Sequence, residues 1–79
     1  MSVCVRLFAA FREAAGAPEL ELPATDGLTV GEVWANLSAR FPELKAHPPS
    51  AAVNARYVTL STPVADGDEV AFLPPVSGG

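Results

Sequence analysis

With 79 residues the chain has room for one domain, and a domain of this size buries only about 60% of its unfolded surface. Its 49% hydrophobic residues suffice for one thin core but leave little space for an enclosed active site, so function is expected at the surface or at an end. The net charge of −4 and the scattering of Arg6, Arg12, Arg40, Lys45 and Arg56 argue against a nucleic-acid partner, whose phosphates call for basic patches.

Residues 3–9 alternate, with Val3, Val5, Leu7 and Ala9 on one face and Cys4, Arg6 and Phe8 on the other; this pattern predicts a β-strand. Arg6 and then Arg12 interrupt the apolar opening, so no signal peptide is read there. Phe11 to Ala15 predict a short helical turn closed by Gly16. Glu19-Leu20-Glu21-Leu22 alternate again and end at Pro23, a second strand. Thr29 and Glu32 have capping-box spacing, and Leu28 and Val33 are placed for a hydrophobic staple. Val30, Val33, Trp34, Leu37 and Phe41 then fall on one helical face, opposite Glu32, Asn36, Ser38 and Arg40. Pro42 stops this main helix.

After a loop at His47 to Ser50, Ala51-Ala52-Val53 and Tyr57-Val58-Thr59-Leu60 predict two short strands around a turn at Asn54-Ala55-Arg56. Pro63 to Asp68 form a second turn region with Asp66-Gly67-Asp68 at its tip. Glu69 to Leu73 form the last strand, with Val70 and Phe72 toward the core and Ala71 and Leu73 facing away. No apolar run approaches the length of a membrane span. These observations lead us to expect a cytoplasmic protein. Strand, strand, helix and three strands suit an α+β, β-grasp (ubiquitin-like) architecture: a mixed sheet with one main helix across one face. The first and last strands are expected to lie parallel in its centre. Residues 1–73 would form this domain and residues 74–79 an extended tail.

That tail reads Pro74-Pro75-Val76-Ser77-Gly78-Gly79. Two prolines remove two backbone donors and favour a stiff, extended geometry. Six extended residues reach roughly 20 Å. Most chain ends are simply frayed. Here a strand runs directly into a proline pair, a slim segment and a diglycine. Glycine has no Cβ to block a narrow tunnel. Both features suit a terminal carboxylate threaded into another enzyme's active site, which makes the Gly79 carboxylate the candidate reactive group.

The segment Val53-Asn54 to Tyr57-Val58, the run Asp66 to Gly79, the opening Val5 to Gly16 and the helix end Arg40-Phe41-Pro42-Glu43-Leu44 together resemble the sulfur-carrier small subunits of molybdopterin synthase, within the ubiquitin-like sulfur-carrier family. Arg56 departs from that pattern, where relatives often carry an acidic or polar residue. The resemblance implies a carrier that is not an enzyme alone. An adenylating enzyme of the ubiquitin-activating type would use ATP to activate Gly79, and a sulfur donor system would convert it to a thiocarboxylate. The large synthase subunit would accept the tail (Pro74, Pro75, Val76, Ser77 and Gly78) and pass sulfur to a cyclic pyranopterin. It further implies a 2:2 heterotetramer and no cofactor or metal bound by the chain itself.

Phe8, Tyr57 and Leu73 are candidate exposed apolar residues on the sheet face away from the helix, and would form a docking patch if they cluster. Arg12 could reach a partner carboxylate or steady the tail; equally, it could be a solvated helix-end charge. Asp66, Asp68 and Glu69 lack the further ligands of a calcium loop, and turn chemistry accounts for them. Cys4 is the one conventional nucleophile; it lacks a cysteine partner, and a small-hydrophobe role suffices for it. His47 reads as a loop residue and Trp34 as core. Other functions remain open on the residues alone: a carrier for thiamine, tRNA thiolation or cysteine synthesis, a protein modifier joined through Gly79 to lysines, or a ubiquitin-like binding module.

Overall fold

The alternation at the N-terminus becomes strand β1 (Ser2–Leu7), in which Val3, Val5 and Leu7 are buried. A computed structural model describes residues 1–74. Helix α1 (Ala9–Ala15) follows, ended by Gly16, whose left-handed φ of 74° lets its amide reach the Arg12 carbonyl. Strand β2 (Glu19–Pro23), helix α2 (Val30–Arg40) and a 3₁₀ turn (Pro42–Ala46) come next. Strands β3 (Ser50–Val53), β4 (Arg56–Val58) and β5 (Glu69–Leu73) complete the elements among the described residues.

The sheet order is β2-β1-β5-β3-β4. β1 and β5 are parallel, with Val5 opposite Val70 and Leu7 opposite Phe72. β2 runs antiparallel to β1, and β3 antiparallel to both β5 and β4. The expected β-grasp, with first and last strands parallel at its centre, is therefore present.

Helix α2 forms where its caps and stripe dictate. The Thr29 side chain accepts from the Glu32 amide, and Glu32 Oε1 accepts from the Thr29 amide at 3.1 Å. Val30, Val33 and Leu37 are fully buried against Val3, Val5, Val70 and Phe72. Each such side chain contributes about 1.5–3 kcal/mol by leaving water. The first amides of α2 are also used: Val30 donates to Thr62 O at 2.9 Å and Gly31 to Leu60 O at 2.7 Å. Gly31 permits that approach, since a Cβ there would sit 3.1 Å from the Leu60 carbonyl oxygen.

Several expected details change. β1 ends at Leu7 rather than Ala9, because Ala9 adopts a φ of 52° and turns the chain into α1 two residues before Phe11. Ser38 is buried rather than exposed; its hydroxyl donates to the Trp34 carbonyl at 2.6 Å, which satisfies it inside the helix surface. Trp34 lies at the margin of the core, half-buried between Phe11 and Phe72 with ring centroids at 5.0 and 4.9 Å. Pro42 ends α2 as expected but also opens the 3₁₀ turn, which buries Leu44 completely. The β3–β4 turn is shorter than expected, Asn54-Ala55 alone, so Arg56 joins β4 and the strand stops at Val58.

Candidate functional site

Because Val5, Val70, Leu7 and Phe72 face α2, their neighbours in sequence emerge on the open side of the sheet. The pairings Arg6–Glu19, Arg6–Ala71, Ala71–Ala52 and Ala52–Tyr57 place one row across all five strands: Glu19, Arg6, Ala71, Ala52, Tyr57. Leu73, paired with Ser50, lies one row nearer the C-terminal end. Phe8 sits one step beyond Leu7 with extended backbone, and the Arg6 guanidinium stands 6.0 Å from its ring centroid, which puts Phe8 on the same side. Phe8 is 39% exposed and Tyr57 78% exposed.

The three apolar residues singled out in the sequence thus share the open face, but Leu73 is half-buried there rather than exposed as expected. Phe8 and Leu73 occupy adjacent positions where β5 leaves the sheet, and Tyr57 lies across Ala52 and Ala71. The two alanines are a low floor between the larger side chains. Alternation within single strands could not reveal them, since their role depends on the register between strands. The same register brings in charge. Arg6 lies 3.8 Å from Glu19 and 3.7 Å from Glu69, with all three side chains about half exposed. Such exposed pairs contribute little to stability, but they leave an acidic border along one flank of the apolar strip.

Both turns that carry the aromatics are conformationally costly. Ala9 has φ 52° and Ala55 φ 71°, where an L-residue with a Cβ loses about 1–2 kcal/mol. The β3–β4 turn has φ above zero at both central residues, a geometry that favours Asn-Gly; here Asn54 is followed by alanine. Phe8 stands at the N-cap of α1, where it provides no side-chain hydrogen bond. Its carbonyl accepts from the Phe11 amide at 3.1 Å.

The remaining candidates separate from this face. Arg12 is exposed on α1 and makes no salt bridge among the described residues. Asp66 accepts from the Ser2 amide at 2.8 Å. Asp68 accepts from the Ala65 amide at 2.9 Å and from Asn54 Nδ2 at 3.1 Å, while Asn54 Oδ1 accepts from the Glu69 amide at 3.0 Å. The acidic turn is therefore a hydrogen-bonded brace between the β3–β4 turn and β5, and the Ala65 amide and Asn54 hold the Asp68 carboxyl below its ordinary pKa. Burial pushes the Cys4 thiol up, and the carboxylates of Glu19 and Glu69 push it further. A thiol held protonated is a poor nucleophile. His47 borders a shallow groove of about 260 Å³ with Phe11, Glu13 and Glu43.

β5 ends at Leu73, and Pro74 is half-buried. Pro75, Val76, Ser77, Gly78 and Gly79 lie outside the described residues.

Residues 5–79 match the sequence model of the ThiS family. The chain is 40% identical over 82 residues to the molybdopterin synthase sulfur carrier subunit of Mycobacterium tuberculosis, covering 100% of this chain and 99% of that protein. It superposes on the small archaeal modifier protein 1 of Methanosarcina acetivorans with a TM-score of 0.84 and 35% identity, covering 99% of this chain and 96% of that one. A complex of subunits 1 and 2 of the molybdopterin-converting factor from Helicobacter pylori contains a chain with a TM-score of 0.69 and 29% identity, with 100% of both chains covered.

Proposed function

The chain belongs to the ThiS family, and from that membership we propose that it is the sulfur-carrying small subunit of a molybdopterin synthase. It carries sulfur for molybdenum cofactor biosynthesis. The single observation that carries this reading is the full-length match to a protein of that name in Mycobacterium tuberculosis. The open face supports it in physical terms: an apolar strip beside the end of β5 provides a docking surface at the point from which a reactive terminus would enter a partner.

In this reading the reactive group is the Gly79 carboxylate. A free carboxylate is a poor electrophile. An adenylating enzyme joins it to AMP at the expense of ATP, releasing pyrophosphate, and so supplies a leaving group. A sulfur donor then displaces AMP and leaves a thiocarboxylate. Phe8, Leu73 and Tyr57 dock the carrier on the large subunit, with Pro74 to Gly78 leading the terminus into that subunit's active site. Docking replaces a bimolecular encounter by a held geometry. The carrier supplies the sulfur atom for a cyclic pyranopterin, and the large subunit supplies the catalytic groups. The chain holds no cofactor of its own in this scheme; ATP belongs to the activating enzyme.

The test is to incubate the protein with the adenylating enzyme, ATP and a sulfur donor and to record its intact mass. Exchange of one oxygen for sulfur at Gly79 is the expected result; an unchanged mass under conditions that load a known carrier refutes the reading. Addition of the large subunit and the pterin precursor then asks for molybdopterin.

A second reading has its own support. The 35% identity to a small archaeal modifier protein over nearly the whole chain favours conjugation of Gly79 to protein lysines as an additional or alternative fate. Isopeptide-linked adducts in cell extract, lost on deletion of Gly79, are its signature.

A further inference from the structure

The two aromatics of the open face each stand beside an alanine in the left-handed region. Ala9 follows Phe8, and Ala55 precedes Tyr57 by two residues. Among the described residues the only other non-glycine residue with positive φ is Asn54, in the same turn as Ala55. Local rules are thus broken at both ends of one functional strip. Phe8 occupies an N-cap without capping, its ring stays partly in water, and the next residue carries a strained backbone. Concentration of such violations at one surface points to a use for them.

The use follows from the shape of the allowed regions. Glycine at positive φ roams over a broad area, whereas alanine there is confined to a small left-handed well. Neighbouring hydrogen bonds hold both alanines in that well. The Phe11 amide reaches the Phe8 carbonyl across Ala9, and Asn54 is tied to Glu69 and Asp68 beside Ala55. An alanine so held defines the direction of the chain more narrowly than glycine could. We propose that Ala9 and Ala55 are positioning residues that hold Phe8 and Tyr57 in their docking orientation before the partner arrives. This rests on the reading of the open face as the surface that meets the large synthase subunit. Stability is given up at both turns, and the gain is a smaller loss of freedom on binding.

The experiment compares Ala9→Gly, Ala55→Gly, Ala9→Asn, Phe8→Ala and Tyr57→Ala in the full chain. Thermal unfolding and calorimetric titration with the large subunit are both recorded. The glycine variants are expected to melt at higher temperature, since the strain is gone, yet to bind about threefold or more weakly, with the loss in binding entropy. A merely structural role would move stability and affinity in the same direction. Asparagine tolerates the left-handed region and keeps a Cβ; Ala9→Asn should therefore melt higher and retain parent affinity. Glycine variants that bind as tightly as the parent overturn the proposal, as does an Asn variant weakened as much as the Gly variant. If the glycine variants bind normally while Phe8→Ala and Tyr57→Ala bind weakly, positioning fails and docking stands. If both aromatic variants also bind like the parent, the docking reading falls with it.

Discussion

Asp68 shows how much one half-buried side chain can organise. It joins the turn after Pro63 to Asn54 on the far side of β5, and its carboxylate is stabilised by the donors it meets. Because its folded pKa is lowered, its contribution is fully present above the ordinary Asp value of about 3.9 and is lost as pH falls through the folded value. Asp68→Asn should therefore be less stable than the parent at neutral pH, with the difference shrinking on acidification. Denaturant unfolding of both proteins at neutral pH and well below pH 4 measures this, and a gap that widens in acid contradicts it. The same turn shows where reading residues from sequence succeeds. Asp-Gly-Asp is explained by turn chemistry, and both aspartates do serve backbone amides. The Asp68 bond to the Ala65 amide is local, but the Ser2 amide that Asp66 serves and the Asn54 side chain that reaches Asp68 are distant in sequence, and no local pattern encodes those.

At the level of elements, α2 was the most legible part of the chain because its start, stripe and stop are all local. The Thr29–Glu32 reciprocal cap and the burial of Val30, Val33 and Leu37 follow directly from spacing. Thr29→Ala should cost about 1 kcal/mol of unfolding free energy, readable in denaturant titration, with the open face unaffected. The segment just after α2 was legible only in part. Pro42 signals an end but not what comes next, and a 3₁₀ turn is too short to show a periodicity. Leu44, fully buried there, should cost about 2–5 kcal/mol when cut to alanine. A loss below about 1 kcal/mol would mean that the turn is peripheral to the core. The start of α1 was missed for another reason. Alternation carried β1 through Phe8 and Ala9, and a left-handed alanine has no sequence signature, since glycine or asparagine is what that conformation favours. The open face was legible as a candidate patch of Phe8, Tyr57 and Leu73, but not whether they cluster, because the register between strands sets which of those residues meet.

On the scale of the whole molecule, the fold and the proposed chemistry are separable. Among the described residues the last core side chain is Phe72, and the strands end at Leu73. Deletion of Gly79 should therefore leave the melting temperature unchanged while abolishing formation of the thiocarboxylate, seen as loss of the sulfur-for-oxygen mass change. Retained sulfur loading would disprove the assignment of the reactive carboxylate. A fall in melting temperature would disprove the separation.

Strand β5 lies inside the sheet, bonded to β1 on one side and to β3 on the other. A partner that draws the chain end inward therefore pulls along the strand axis. Load applied in that direction is shared at once by the ladder bonds on both flanks, whereas an edge strand peeled sideways yields one bond at a time. Under the proposed function, in which a partner takes up the terminus, the domain would be a mechanical anchor whose grip behind Leu73 resists in shear.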